Sequence, residues 1–169
     1  MISKKMQDAL NGQVNAELYS AYLYLSMESY FRSKNMNGFA HWMRVQTQEE
    51  MSHVMKFYDF IDERGGRIVL KAIEGPTTEW DSPLAVFEAV YEHEQKVTGL
   101  INELVDLAIA EKDHATNSFL QWFVNEQVEE EANVDNILGK LKLINDNPHA
   151  LLMLDAAHAQ RLVTPPKDG

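Results

Sequence analysis

Residues 67–82 read RIVLKAIEGPTTEWDS, and the path taken by this stretch decides how the rest of the chain packs. It contains the Val and Ile of a strand, but Gly75 and Pro76 interrupt it, so it reads as a crossing loop. On either side the chain is helical in pattern, with glycine and proline confined to a few places. Ser3 is placed to cap a first helix running to about Ser33. A short break at Asn35 to Asn37 precedes a second helix that Gly65 and Gly66 end. Asp81 or Ser82 caps a third helix, with Pro83 in its first turn, reaching about Glu111. Asp113 caps a fourth that continues to about Asn145. Pro148 opens a short fifth piece, PHALLMLDAAHAQRL, ahead of the breaker pair Pro165 and Pro166.

The tightly joined pairs, first with second and third with fourth, must be antiparallel. A connection of about 18 residues can extend some 60 Å at about 3.3 Å per residue, whereas a helix of about 28 residues is only some 42 Å long. The loop over about 65–82 therefore spans the bundle and makes the second and third helices parallel. The expected fold is all-α: a four-helix bundle of about residues 3–145 with one long crossover connection, and a short C-terminal helix at about 148–160. The chain of 169 residues is expected to form a single domain.

Composition restricts the function. A formal net charge of -11 disfavours nucleic acid and anionic membranes as partners and favours cations. The 169 residues include no cysteine, which excludes disulfides, thiolate zinc sites and iron–sulfur clusters, so any metal must use carboxylate, imidazole or other oxygen ligands. The first residues, MISKKMQDAL, have no apolar signal core, and no window approaches the roughly 18 apolar residues of a membrane span. A cytoplasmic location is expected.

Four carboxylates interrupt four apolar seams. Advancing about 100° per residue, Met6, Leu10, Val14, Ala21, Tyr24 and Phe31 share one face of the first helix, with Glu17 in their midst. On the second helix Phe39, Met43, Val54, Phe57 and Ile61 form a stripe with Glu50 on its centre line and His53 one turn on. On the third, Phe87, Val90, Tyr91, Val97, Ile101 and Val105 surround Glu94. On the fourth, Leu120, Val124, Val134, Leu138 and Leu141 run past Gln127, with Glu130 and Glu131 on either side of it. The heights agree as well: Glu17 and Glu50 lie about equally far from their shared turn, as do Glu94 and Glu130 from theirs. Taken singly, a Glu on a seam usually reaches out to solvent and a lone His is usually a satisfied core group. Four carboxylates converging on one layer would repel one another in a medium that already costs several kcal/mol per charge. No Lys or Arg lies on these stripes near the layer, so bound metal is the economical counter-charge, and Glu50-x-x-His53 supplies two ligands from one helix face. Oxygen-dominated ligation with one imidazole suits iron or manganese better than zinc.

The segments NAELYSAYLYLSM, WMRVQTQEEMSH, EWDSPL, YEHE and FLQWFVNEQVEEE, spread over nearly the whole chain, resemble the ferritins, in particular the non-haem ferritins of bacteria and archaea. The resemblance implies a ferroxidase centre in which Glu17, Glu50 and His53 bind one iron and Glu50 bridges to a second held by Glu94 and Glu130. Gln127 would lie beside the pair and Tyr24 would hydrogen-bond near it. It also implies a third iron site of Glu49, Glu126 and Glu129 with Glu130 shared. Fe(II) would be oxidised by O2 or H2O2, and ferric mineral would collect inside a hollow shell of 24 subunits.

Where related diiron enzymes and the haem-binding bacterioferritins carry a second Glu-x-x-His, the residue after the interval from Glu130 is Asn133. Iron transit is therefore favoured over a permanent diiron cofactor, a non-storage diiron oxidase or peroxidase being the alternative. Haem is not expected, although Met51 stands where bacterioferritins place their haem ligand. Glu28, near the end of the first helix, is expected to be solvated, and Glu131 is left open. His41, His93, His114, His149 and His158 are expected at the surface or in interfaces, and Trp122 in packing. The apolar run Leu151, Leu152, Met153 and Leu154 exceeds what one bundle end needs and points to subunit contact.

Overall fold

The computed structural model describes residues 1–145 and 147–162; the pair Pro165 and Pro166 lies outside the described residues. Five helices follow in chain order: α1 Lys4–Ser33, α2 Asn37–Glu63, α3 Pro83–Ala110, α4 His114–Ile144 and α5 Pro148–His158. Four of the starts follow from side-chain caps. Ser3 Oγ accepts from the Met6 amide at 3.0 Å, Ser82 Oγ from Ala85 at 3.1 Å and Asp113 Oδ1 from Thr116 at 3.1 Å. Asn147 Oδ1 takes two amides at the head of α5.

Three of the helices stop in the same way. The amide of Met36 reaches back to Phe31 O, that of Gly66 to Ile61 O and that of Asp113 to Ala108 O, at 3.0, 2.9 and 2.8 Å. Each bond closes over a residue of positive φ: Asn35, Gly65 and Lys112. This geometry satisfies terminal carbonyls and reverses the chain.

Contacts along α1 establish the topology. Ser3, at its start, meets Glu111 at the end of α3, and Phe31, at its other end, packs 5.9 Å from Phe87 near the start of α3. Helix α3 is therefore antiparallel to α1, as α2 is, and α2 and α3 run parallel. The crossover makes this possible by lying along α1. Asn11 bonds the backbone of Arg67 and Val69, Ser26 donates to Thr77 O at 2.6 Å, and the Trp80 ring meets Tyr30 at 5.4 Å. The backbone groups of Arg67, Val69 and Thr77 are thus paired to α1 side chains in place of a sheet partner.

Apolar packing forms two bodies. One holds Tyr24, Phe31, Phe39, Trp42, Phe87 and Leu138; the other holds Leu10, Phe57, Ile61, Ile101, Leu120 and Phe123. A polar layer separates them.

Helix α5 closes one end. Leu151 and Leu154 pack on the first of these bodies, while Leu152 and Met153 remain exposed. Helix α2 has no side-chain cap of its own at Met36; the Phe39 amide instead donates to Asp155 Oδ1 of α5 at 2.8 Å. The approach requires Gly38, because a Cβ there would lie 1.6 Å from the Asp155 carbonyl oxygen.

Candidate metal centre

The separating layer contains Glu17 of α1, Glu50 and His53 of α2, Glu94 of α3, and Gln127 and Glu130 of α4, all at least 96% buried. One ligand atom from each of Glu17, Glu50 and His53 lies within 4.8 Å of the others. His53 Nδ1 faces both carboxylates, 3.4 Å from Glu50 Oε2 and 3.9 Å from Glu17 Oε2. The imidazole is held edge-on by Trp122 and Phe123, with ring centroids 5.4 and 5.7 Å away.

On the other side of the layer Gln127 donates to Glu94 Oε2 at 3.1 Å, and Tyr24 donates its hydroxyl to Glu94 Oε1. Gln46 Nε2 donates to Glu130 Oε2 at 2.8 Å. Glu94 and Glu130 stand outside the tight trio but are coupled to it electrostatically, since each pushes on Glu50.

Burial and mutual repulsion disfavour charge throughout the layer. Desolvation, then the Glu50 charge, raises Glu17 well above the usual carboxylate range. Desolvation and the charges of Glu94 and Glu130 do the same to Glu50. Glu94 is raised by burial against the opposing hydrogen bonds from Tyr24 and Gln127. Glu130 is pushed up to about 8 by burial, Glu94 and Glu49, with Arg161 and Gln46 opposing. Glu17 Oε2 is buried and accepts no hydrogen bond among the described residues, although Gln13 donates to Oε1 at 2.8 Å. A buried acceptor without a donor, beside a second carboxylate and an imidazole, has the character of a ligand atom directed at a cation. The residues fit hard or borderline metal ions.

Glu49 is buried with one carboxylate oxygen 2.6 Å from Arg161 Nη2; Glu126 is half-buried and Glu129 exposed on α4. Glu131, open on the helical wheel, accepts from Thr98 Oγ1 at 2.6 Å. That contact holds it on the α3 side, while Glu130 is the more deeply buried of the two.

Two expectations require correction. Glu28 is 3% exposed, not solvated, because Arg32 and Arg44 fold over it with contacts of 2.7 Å. His93 is half-buried directly behind the centre, 2.8 Å from Ser20 Oγ and between the Tyr19 and Tyr24 rings, with burial pushing it down to about 4. His114 and His149 are exposed.

Gln13 and Gln46 were missed as site residues. Each lies four positions before a seam carboxylate, Glu17 and Glu50 respectively, so helical periodicity alone was enough to nominate them. Arg161 carried no such signal, since it arrives from beyond α5.

The family model described as a ferritin-like domain matches residues 7–144. A bacterial non-heme ferritin of Bacteroides fragilis is 48% identical over 161 residues, covering 95% of this chain and all of the relative. A non-heme ferritin of Staphylococcus saprophyticus is 40% identical, covering 95% of this chain and 96% of its own length. Among solved structures, a closed form of the Archaeoglobus fulgidus ferritin made by site-directed mutagenesis superposes with a TM-score of 0.96 at 60% identity, covering 97% of this chain and all of that one. The open-pore ferritin of the same archaeon superposes at 0.95, also at 60% identity, over 96% of this chain and all of its own. The carboxylate layer within a four-helix bundle and these likenesses along nearly the whole chain lead to one assignment: the chain belongs to the ferritin family.

Proposed function

We propose that this protein is an iron-storage ferritin with ferroxidase activity, oxidising Fe(II) with O2 or H2O2 at the mid-bundle layer and keeping the ferric product inside a hollow, 24-subunit shell. The observation that carries the reading is the convergence of four buried carboxylates from four helices, with one imidazole, between two apolar bodies.

Iron is the substrate. Glu17, Glu50 and His53 hold one Fe(II); Glu50 bridges to a second held by Glu94 and Glu130. Each iron gives up one electron, and reduction of one O2 to H2O2 takes up two electrons and two protons. Anionic oxygen donors stabilise Fe(III) over Fe(II) and so favour the oxidation. Gln127 and Tyr24 orient Glu94 through the two hydrogen bonds described above. Glu49, Glu126 and Glu129, with Glu130 shared, form an outer third position through which product leaves. Among the described residues no helix is long and apolar enough to cross a membrane. The shell is taken to be cytoplasmic.

Anaerobic Fe(II) loading followed by oxygen tests the chemistry: a fast rise in ferric absorbance is expected, and oxidation no faster than in protein-free buffer would sink it. Iron retained per chain separates storage from the alternative, a non-storage diiron oxidase or peroxidase. Storage continues far beyond the paired site, whereas the alternative stops there.

A further inference from the structure

Arg161 follows α5 and returns to the bundle at the outer edge of the carboxylate layer. Four contacts hold it there. Its carbonyl accepts from His41 Nε2 at 2.7 Å, and its guanidinium lies 4.5 Å over the Trp42 ring. Nη1 donates to Gln46 Oε1 at 2.7 Å, and Nη2 to Glu49 Oε2 at 2.6 Å. Gln46 passes the contact inward, donating its own amide to Glu130 at 2.8 Å. One guanidinium thus addresses two carboxylates of the outer position, Glu49 directly and Glu130 through an amide. Its side chain is 19% exposed, against 57% and 50% for Arg32 and Arg44 over Glu28, so it is seated rather than lying on the surface.

We propose that Arg161 is a built-in counter-ion of the outer carboxylate position, keeping Glu49 neutralised and, through Gln46, Glu130 oriented until an arriving metal cation displaces its guanidinium. The inference rests on assigning Glu49, Glu126, Glu129 and Glu130 to that position. A planar fork that meets an amide and a carboxylate together holds both side chains in one geometry. A dication offers Glu49 twice the charge but must first break those bonds, which weakens the outer position relative to the paired one. The inner pair therefore fills first, and iron in the outer position is held loosely enough to move on. Displacement also frees the chain after α5, since the guanidinium is one of its anchors.

Calorimetric titration of Zn(II), which does not change oxidation state, into the metal-free assembled protein tests this without any turnover. Wild type is expected to show a tight inner phase and a weaker outer one. Arg161→Gln is expected to tighten the outer phase about tenfold, the scale of one partly buried charge-assisted hydrogen bond, and to alter the inner phase, which shares Glu130, far less. Adding Glu49→Gln should remove the gain. Arg161→Lys, which keeps the charge without the fork, should fall between, and it serves if the glutamine variant does not assemble. An outer phase unchanged or weaker in Arg161→Gln overturns the proposal, as does the lack of an outer phase in both proteins. Loss of the inner phase from wild type would instead overturn the paired centre, and with it the assignment on which the inference rests.

Discussion

Tyr24 donates its hydroxyl to Glu94, joining α1 to α3 across the carboxylate layer. Burial and the neighbouring Glu94 and Glu50 charges raise the phenol well above its usual range, so it acts as a donor and not as a base. Tyr24→Phe keeps the ring packing against Trp42 and His93 and removes only the donor. The metal-free protein is expected to lose about 0.5–1.5 kcal/mol, read by thermal unfolding. Glu94 keeps its contact with Gln127, so the number of metals bound should stay the same while oxidation slows. A variant as fast and as stable as wild type would show the bond to be idle.

Glu28 gives the pH dependence. Burial alone would raise it, but the hydrogen bonds and charges of Arg44 and Arg32 prevail and hold it below its usual range. A depressed carboxylate stabilises the fold above its unfolded value of about 4.3 and loses that contribution as pH falls through the folded one. The melting temperature of the wild type should therefore drop more steeply on acidification than that of Glu28→Gln. At neutral pH the variant should be about 1–3 kcal/mol less stable. Parallel acid limbs for the two proteins would contradict this.

Gly38→Ala should dislodge α5. The new methyl would meet the Asp155 carbonyl, so either the cap on the Phe39 amide or the packing of Leu151 and Leu154 must give way. A cost of about 1–3 kcal/mol is expected, with faster hydrogen exchange in residues 148–158 than elsewhere. Unchanged exchange in α5 would show that the bundle end repacks around the methyl.

Assembly should depend on salt. Each chain carries a formal charge of -11, and bringing copies together concentrates it. Added salt shortens the screening length to about 8–10 Å near physiological strength, so association should strengthen as salt rises. Light scattering across ionic strength reads this directly, and one particle size from low to high salt would remove the idea.

Helix order, helix ends and the mid-bundle layer of carboxylates were legible because each depends on local, repeating geometry. Ser3, Ser82 and Asp113 cap where their side chains meet the next turn, and Glu17, Glu50 and Glu94 stand out because their seams are otherwise apolar. The choice between Glu130 and Glu131 was not legible in the same way, since both flank the seam. What separates them in the structure is Thr98 of α3, which holds Glu131 aside.

The sequence by itself determined the four long helices, the crossover that runs their length, and the level at which their carboxylates meet. Helical period and chain reach are properties of neighbouring residues and carry over to any packing. Only the tertiary structure decided what covers these groups. Arg44 of α2 closes over Glu28 of α1, Asp155 caps α2 from 116 positions away, and Arg161 reaches Glu49 from 112. No periodicity links residues so far apart. Each contact exists because a buried charge or an orphaned amide takes the nearest partner in space, and the fold selects that partner.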